Sequence, residues 1–155
     1  MAKKFTLKNR YKIDLTNKME LGAIPKQTLY KRFTDGRISG LLAEDLLNAL
    51  YNNLTKAPSE SSPYDLLDDN GNKYESRVVT KRGVNLNPSN QIGSGRSYNE
   101  DKHRTKHESL YAYIFIDVRD SPIFYIVGIN RNDVPFVKKL SPNSFDKLLK
   151  DLKIS

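Results

Sequence analysis

Cysteine is absent from the 155-residue chain, and histidine occurs only twice, at His103 and His107. The first absence excludes disulfides, thiolate zinc sites and a cysteine nucleophile, and it suits a reducing cytoplasm. The second excludes a histidine-rich metal centre. Any metal must then be held mainly by oxygen, which favours a hard ion such as Mg²⁺. Long apolar runs are missing too: none approaches the roughly 18 residues that span a bilayer. The opening MAKKFTLKNRYKID is charged and lacks an apolar core segment, so no secretory signal is expected and the expected location is cytoplasmic. Acid is scarce relative to base. Eighteen Asp and Glu face 26 Lys and Arg, giving a net charge of +8. That balance points to a polyanionic partner, nucleic acid or an anionic membrane surface. The membrane is the weaker of the two, because the chain shows no basic amphipathic helix. A mean hydropathy of −0.64 with 37% apolar residues suits a soluble globular protein of one domain.

The pattern along the chain divides into helix, sheet, helix. Residues 1–25 are basic and loosely patterned, readable as an arm, a dimerisation segment or an irregular helix. Residues 26–55 read as helical. Pro25 stands near one helix start, and RISGLLAEDLLNALYNNLT places Leu42, Leu46, Ala49 and Leu50 on one stripe, widened by Leu47 and Leu54. KAPSESSP is a linker by composition. Residues 63–140 read as a sheet core. PYDLLD and KYESRVVTK flank a turn, YAYIFIDV and IFYIVGI are apolar, β-branched and aromatic, and DVPFVKKL suits an edge strand because of Pro135. A polar segment, residues 81–106, interrupts the strands, and NEDKHRTKHESL within it reads as a helix. Residues 141–153 form a closing helix with Ser141 as N-cap, Pro142 at its first position and Phe145, Leu148, Leu149 and Leu152 on its apolar face. Asp117 ends its strand and is expected to cap the turn to Ser121. The expected fold is α/β, a central mixed β-sheet flanked by helices.

The chemistry concentrates in PYDLLDDNGNKYESR, residues 63–77. A two-residue turn at Asn70-Gly71 would set Asp65 opposite Ser76. A three-residue loop, Asp69-Asn70-Gly71, pairs Asp68 with Asn72 and sets Asp65 opposite Glu75. Asp-Asn-Gly suits the longer loop, a type I turn closed by a left-handed glycine. Opposed side chains stand about 4.5–5.5 Å apart at Cβ, so two carboxylates there repel unless a cation joins them. Arg77 shares the face of Glu75. Carboxylates within an apolar hairpin need a partner. The next segment supplies positive charge: from Arg77 to His107 seven Lys and Arg stand against Glu100 and Asp101. A metal beside cations is what phosphodiester hydrolysis requires.

PYDLLDDNGNKYESR resembles the core motif of the PD-(D/E)xK nuclease superfamily, and in particular of short type II restriction endonucleases. The resemblance covers about 15 residues closely and YAYIFIDV more loosely. It implies a restriction-endonuclease-like fold, Mg²⁺ as cofactor, and double-stranded DNA as substrate. It also implies Asp65 and Glu75 as metal ligands and catalytic residues, with the main-chain carbonyl of Ser76 as a further ligand. An additional acid from an N-terminal helix falls on Glu44 or Asp45. Arg77 occupies the usual lysine position. A guanidinium does not deprotonate, so Arg77 can orient water and stabilise charge but cannot act as a base.

The segment 81–106 is then the expected DNA contact. Asn85, Asn87, Ser89, Asn90, Gln91 and Ser94 carry groups that read base edges. Lys81, Arg82, Arg96, Lys102, Arg104 and Lys106 suit phosphates, and His103 joins them as a phosphate contact. One active centre per chain implies a homodimer to cut two strands. A restriction role implies a DNA methyltransferase acting on the same site. Competing readings are another nuclease of the same fold, such as a junction resolvase or phage repair nuclease, and a nucleic-acid-binding module whose nuclease centre has decayed.

Overall fold

The structure, a computed structural model, describes residues 3–34, 37–59, 62–93 and 95–155, with the backbone alone for residues 37–41. Its elements run β1 (Arg10–Asp14), α1 (Lys26–Phe33), α2 (Arg37–Leu50), β2 (Leu54–Lys56), β3 (Leu66–Asp68), β4 (Lys73–Val79), β5 (Val84–Asn85), α3 (Glu100–Ser109), β6 (Ala112–Asp117), β7 (Ile123–Asn130), β8 (Lys139–Leu140) and α4 (Pro142–Asp151). Six strands form one mixed sheet in the order β1-β7-β6-β4-β3-β2. Only β4 and β6 are parallel. A parallel pair cannot be joined by a tight turn. The connection is the polar segment after β4, and α3 lies within it.

Both faces of the sheet are covered, which explains why β6 is buried at all six positions. On one face Ile114, Ile116 and Ile126 pack with Ala43 and Leu47 of α2. On the other, Tyr113, Phe115 and Ile129 pack with Phe145 and Leu149 of α4. Helix α4 begins as its residues dictate: Ser141 Oγ accepts a hydrogen bond from the Ser144 amide at 3.1 Å, and Pro142 needs no partner at the first position. Among the described residues no helix is long and apolar enough to cross a membrane.

Three local expectations are corrected. The basic N-terminal segment supplies a strand: β1 pairs with β7, and Phe5 is buried among Tyr11, Tyr51 and Tyr74. Phe5 lies over Gly128, where a Cβ would stand 2.6 Å from its ring. The apolar stripe of α2 is turned by one position. Ala43 and Leu47 are buried, Leu46 and Leu50 lie at its margin, and Leu42 is 48% exposed. The helix ends at Leu50, and Leu54 begins β2 instead of extending the stripe. DVPFVKKL yields only the two-residue β8, which pairs with β5 outside the main sheet. Asp117, as expected, ends β6 and caps the turn to Ser121, accepting from the Arg119 amide at 3.0 Å; beyond that expectation it pairs with the Arg119 guanidinium at 2.7 Å, which also bridges to Asp146 of α4.

Candidate active site

The hairpin takes the three-residue loop. Leu66 pairs with Tyr74 and Leu67 with Lys73, and the Asp68 amide donates to the Asn72 carbonyl at 3.1 Å. One step beyond β3 the regular register ends, and the Asp65 amide turns to the Tyr74 carbonyl at 2.9 Å; the Asp65 carboxylate still lies close enough to raise the pKa of Glu75. Two features fix the loop length. Gly71 holds φ +79°, the left-handed region where a side chain is disfavoured. The Asp68 carboxylate accepts from the amides of Asn70 at 2.9 Å and Asn72 at 3.0 Å, and from the Tyr74 hydroxyl at 2.8 Å. Burial works against the Asp68 charge, yet the hydrogen bonds from Asn72 and Tyr74 carry its pKa below the ordinary value.

Asp65 is tied to the second strand. Its Oδ2 accepts from the Ser76 amide at 2.8 Å and faces the Ser76 hydroxyl at 3.3 Å. Glu75 is 2% exposed. Two cations meet it: Arg77 Nη2 lies 3.2 Å from Oε1, and Lys106 Nζ of α3 lies 2.7 Å from Oε2. The Lys106 contact is the shorter of the two. Burial raises the Glu75 pKa, with Arg77 and Lys106 opposing it and Asp65 adding to it; the net direction is upward. Glu44 reaches the same place from α2. Burial, then the charge of Asp65 and a hydrogen bond with it, push the Glu44 pKa up to about 7. Its neighbour Asp45 turns instead to Lys56, 2.6 Å away, so of the two helical acids Glu44 joins the site.

For a divalent ion this donor set is right in kind. Asp65 and Glu44 are hard oxygen ligands whose mutual repulsion a cation would relieve. Asp65 and Glu44 would hold the ion, with Glu75 beside them. Among the described residues no three such side chains already surround a common point, and Glu75 is engaged by Arg77 and Lys106.

Two clefts, each of about 410 Å³, flank Lys106. One is walled by Pro88, Ser89, Asn90 and Gln91, the other by Lys73, Thr105 and Ser109; Pro63 and Lys102 border both. The DNA candidates divide around them. Lys81, Arg82, Asn85, Ser89, Asn90, Arg96, Lys102 and Arg104 are exposed. Ser94 lies outside the described residues. Asn87 is buried, and its carbonyl accepts from Arg77 at 3.1 Å, so it serves the loop and not a base. The Gln91 amide is closed on the main chain of Asn99. His103 is not a phosphate contact. It is 1% exposed, its Nδ1 lies 2.8 Å from the Tyr98 hydroxyl, and its ring packs 4.4 Å from that of Phe136. Burial also lowers its pKa and keeps it neutral.

Sequence reasoning missed that Lys106 meets Glu75. A signal existed. His103, Lys106, His107 and Leu110 recur at the spacing of one helix face. His103 and Leu110 are buried, and His107 Nδ1 lies 2.9 Å from the hydroxyl of Tyr113, the register partner of Glu75. That inward face is mostly polar, so hydropathy does not mark it. No protein-family model matches the chain, and neither does any curated protein.

Proposed function

We propose that the chain is a Mg²⁺-dependent endonuclease for double-stranded DNA, of the site-specific restriction type, acting as a homodimer. One observation carries this reading: the hairpin brings Asp65 and Glu75 together where Glu44, Arg77 and Lys106 converge. A mixed sheet flanked by helices is the architecture such a motif implies. When bound, the metal lowers the pKa of a water and neutralises the attacked phosphate. The chain's own groups do the rest. Asp65 and Glu44 hold charge at one point, and Ser76 fixes Asp65 through its amide. The exposed Lys102, Arg104, Lys81 and Arg82 suit flanking phosphates.

The test is a plasmid digest with Mg²⁺ or with EDTA, using wild type and Asp65→Asn. Discrete fragments that need Mg²⁺ and vanish in Asp65→Asn support the proposal. Preference for a four-way junction over a linear duplex would instead make it a resolvase. A second reading is a binding module that no longer cuts. The pairing of Glu75 with Arg77 and Lys106 favours it, since both cations stand where an ion would have to compete. Retarded DNA without cleavage, unchanged in Asp65→Asn, is its signature.

A further inference from the structure

We propose that Lys106, on α3, is the catalytic cation that touches the scissile phosphate, and that Arg77 is a positioning residue for Glu75. This deepens the nuclease reading and rests on it. Arg77 holds the place in the hairpin motif, but the outer end of its guanidinium is committed, while its Nε is buried with no hydrogen-bond partner among the described residues. Its side chain is 13% exposed, and Nη2 serves both Glu75 Oε1 at 3.2 Å and the Asn87 carbonyl at 3.1 Å. It thus ties the acid to the loop that walls one cleft, and to reach a phosphate it would have to release both. Lys106 is differently placed. Its side chain is 22% exposed, and it borders both clefts. Its ammonium has three N–H groups and, among the described residues, one ion-pair partner, Glu75 Oε2 at 2.7 Å. Donors therefore remain for an oxygen in the cleft.

The chemistry favours that placement. In phosphodiester hydrolysis the oxygen of one water bonds to phosphorus and the bond to the leaving sugar oxygen breaks. The water gives one proton to solvent, and the leaving oxygen takes one from solvent. Negative charge grows on the non-bridging oxygens as the new bond forms, and a cation aimed there lowers the barrier. A compact ammonium on a flexible stem, with three rotatable donors, can follow that change. Arg77 then acts through Glu75, by holding the carboxylate toward Lys106.

The test combines rates with a footprint that needs no turnover. Single-turnover plasmid cleavage is measured for wild type, Lys106→Met, Arg77→Met and Arg77→Lys, with DNA affinity by anisotropy. In EDTA, acetylation of Lys106 in the wild type is followed by mass spectrometry with and without a mixed-sequence duplex. Lys106→Met should lose about a hundredfold or more in rate while DNA affinity falls less than about fivefold. The duplex should slow Lys106 acetylation several-fold. Arg77→Met should lose rate, and Arg77→Lys should recover most of that loss. Cleavage by Lys106→Met within about threefold of wild type overturns the assignment and leaves the nuclease reading standing. So does acetylation of Lys106 unchanged by DNA, a result that does not depend on any variant folding. A wild-type chain that cuts no DNA removes both readings together.

Discussion

Lys106 and Glu75 form a pair whose removal, one partner at a time, should give opposite effects on stability. Glu75 is an acid kept inside the protein against its solvation: burial outweighs the two cations, and its pKa is raised. A carboxyl group with a raised folded pKa contributes most below its unfolded pKa, and that contribution is lost as pH rises through the folded value. Above that range the ionised group is a burden. Glu75→Gln copies the protonated form at nearly constant volume. It should therefore melt at or above the wild-type temperature at pH 8 while losing cleavage. Lys106→Met does the reverse, leaving the carboxylate with Arg77 alone. Removing one partner of a buried pair costs about 3–5 kcal/mol. Lys106 is 22% exposed, and Glu75 can take up a proton, so about 2–3 kcal/mol is the expected loss at pH 8. For a chain of this size that is a fall of roughly 4–12 °C in melting temperature, with most of the molecules still folded at 25 °C. The loss should shrink at pH 6, and the double variant should recover most of it. Thermal melts followed by circular dichroism at both pH values, over the four-member cycle, measure this directly. The reasoning is refuted if Lys106→Met costs as much in the Glu75→Gln background as in the wild type. A fall of more than about 4 °C in Glu75→Gln alone would refute it too.

Three further outcomes are expected. With the Glu44 pKa near 7, that acid is about one-tenth ionised at pH 6 and nine-tenths at pH 8, so Mg²⁺ affinity should rise about tenfold between them; titration calorimetry reads this, and Glu44→Gln should flatten the dependence. Asp68→Ala removes the acceptor for two amides and a hydroxyl, and should cost about 2–3 kcal/mol at pH 7. Because the Asp68 pKa is lowered, the wild type holds this contribution above roughly pH 4 and loses it as pH falls through the folded value, so melts at pH 7 and pH 3 should show the variant's deficit narrowing in acid. His103→Ala empties a fully buried site and should cost about 2–4 kcal/mol in a denaturant titration.

The hairpin was the most legible part of the chain, because its information is local. Asp-Asn-Gly closes a three-residue loop, loop length sets the register of Leu66 with Tyr74, and that register brings Asp65 near Glu75, although the Asp65 carboxylate itself bonds the Ser76 amide and hydroxyl. The central strands were legible for a related reason: YAYIFIDV has no polar face, and only a strand covered on both sides can be built from it. What could not be read locally was the first strand. RYKID alternates weakly, and its pairing with β7 depends on a partner more than a hundred residues later. The helix α2 shows the limit of periodicity: leucines at 42, 46, 47 and 50 fit two adjacent stripes, and only packing on Ile114 and Ile116 selects the one centred on Leu47.

The site itself divides along the same line. Two of its acids, Asp65 and Glu75, lie on one hairpin and could be brought together by counting residues, whereas Glu44 comes from α2. Its cations come from elsewhere. Arg77 looked like the working cation because it follows Glu75 on the strand, yet strand alternation that puts it on the same face also buries it against the acid and the 87–91 loop. Lys106 looked like one cation among several on a polar helix. It meets Glu75 because β4 and β6 are parallel: a parallel pair requires a crossover, the crossover contains α3, and α3 must turn some face to the sheet. In this chain that face carries His103 and His107 where most crossovers carry leucine, and their hydroxyl partners, Tyr98 and Tyr113, seat the helix. His103, expected as a phosphate contact, and its neighbour His107 are thus the groups that deliver Lys106 to Glu75.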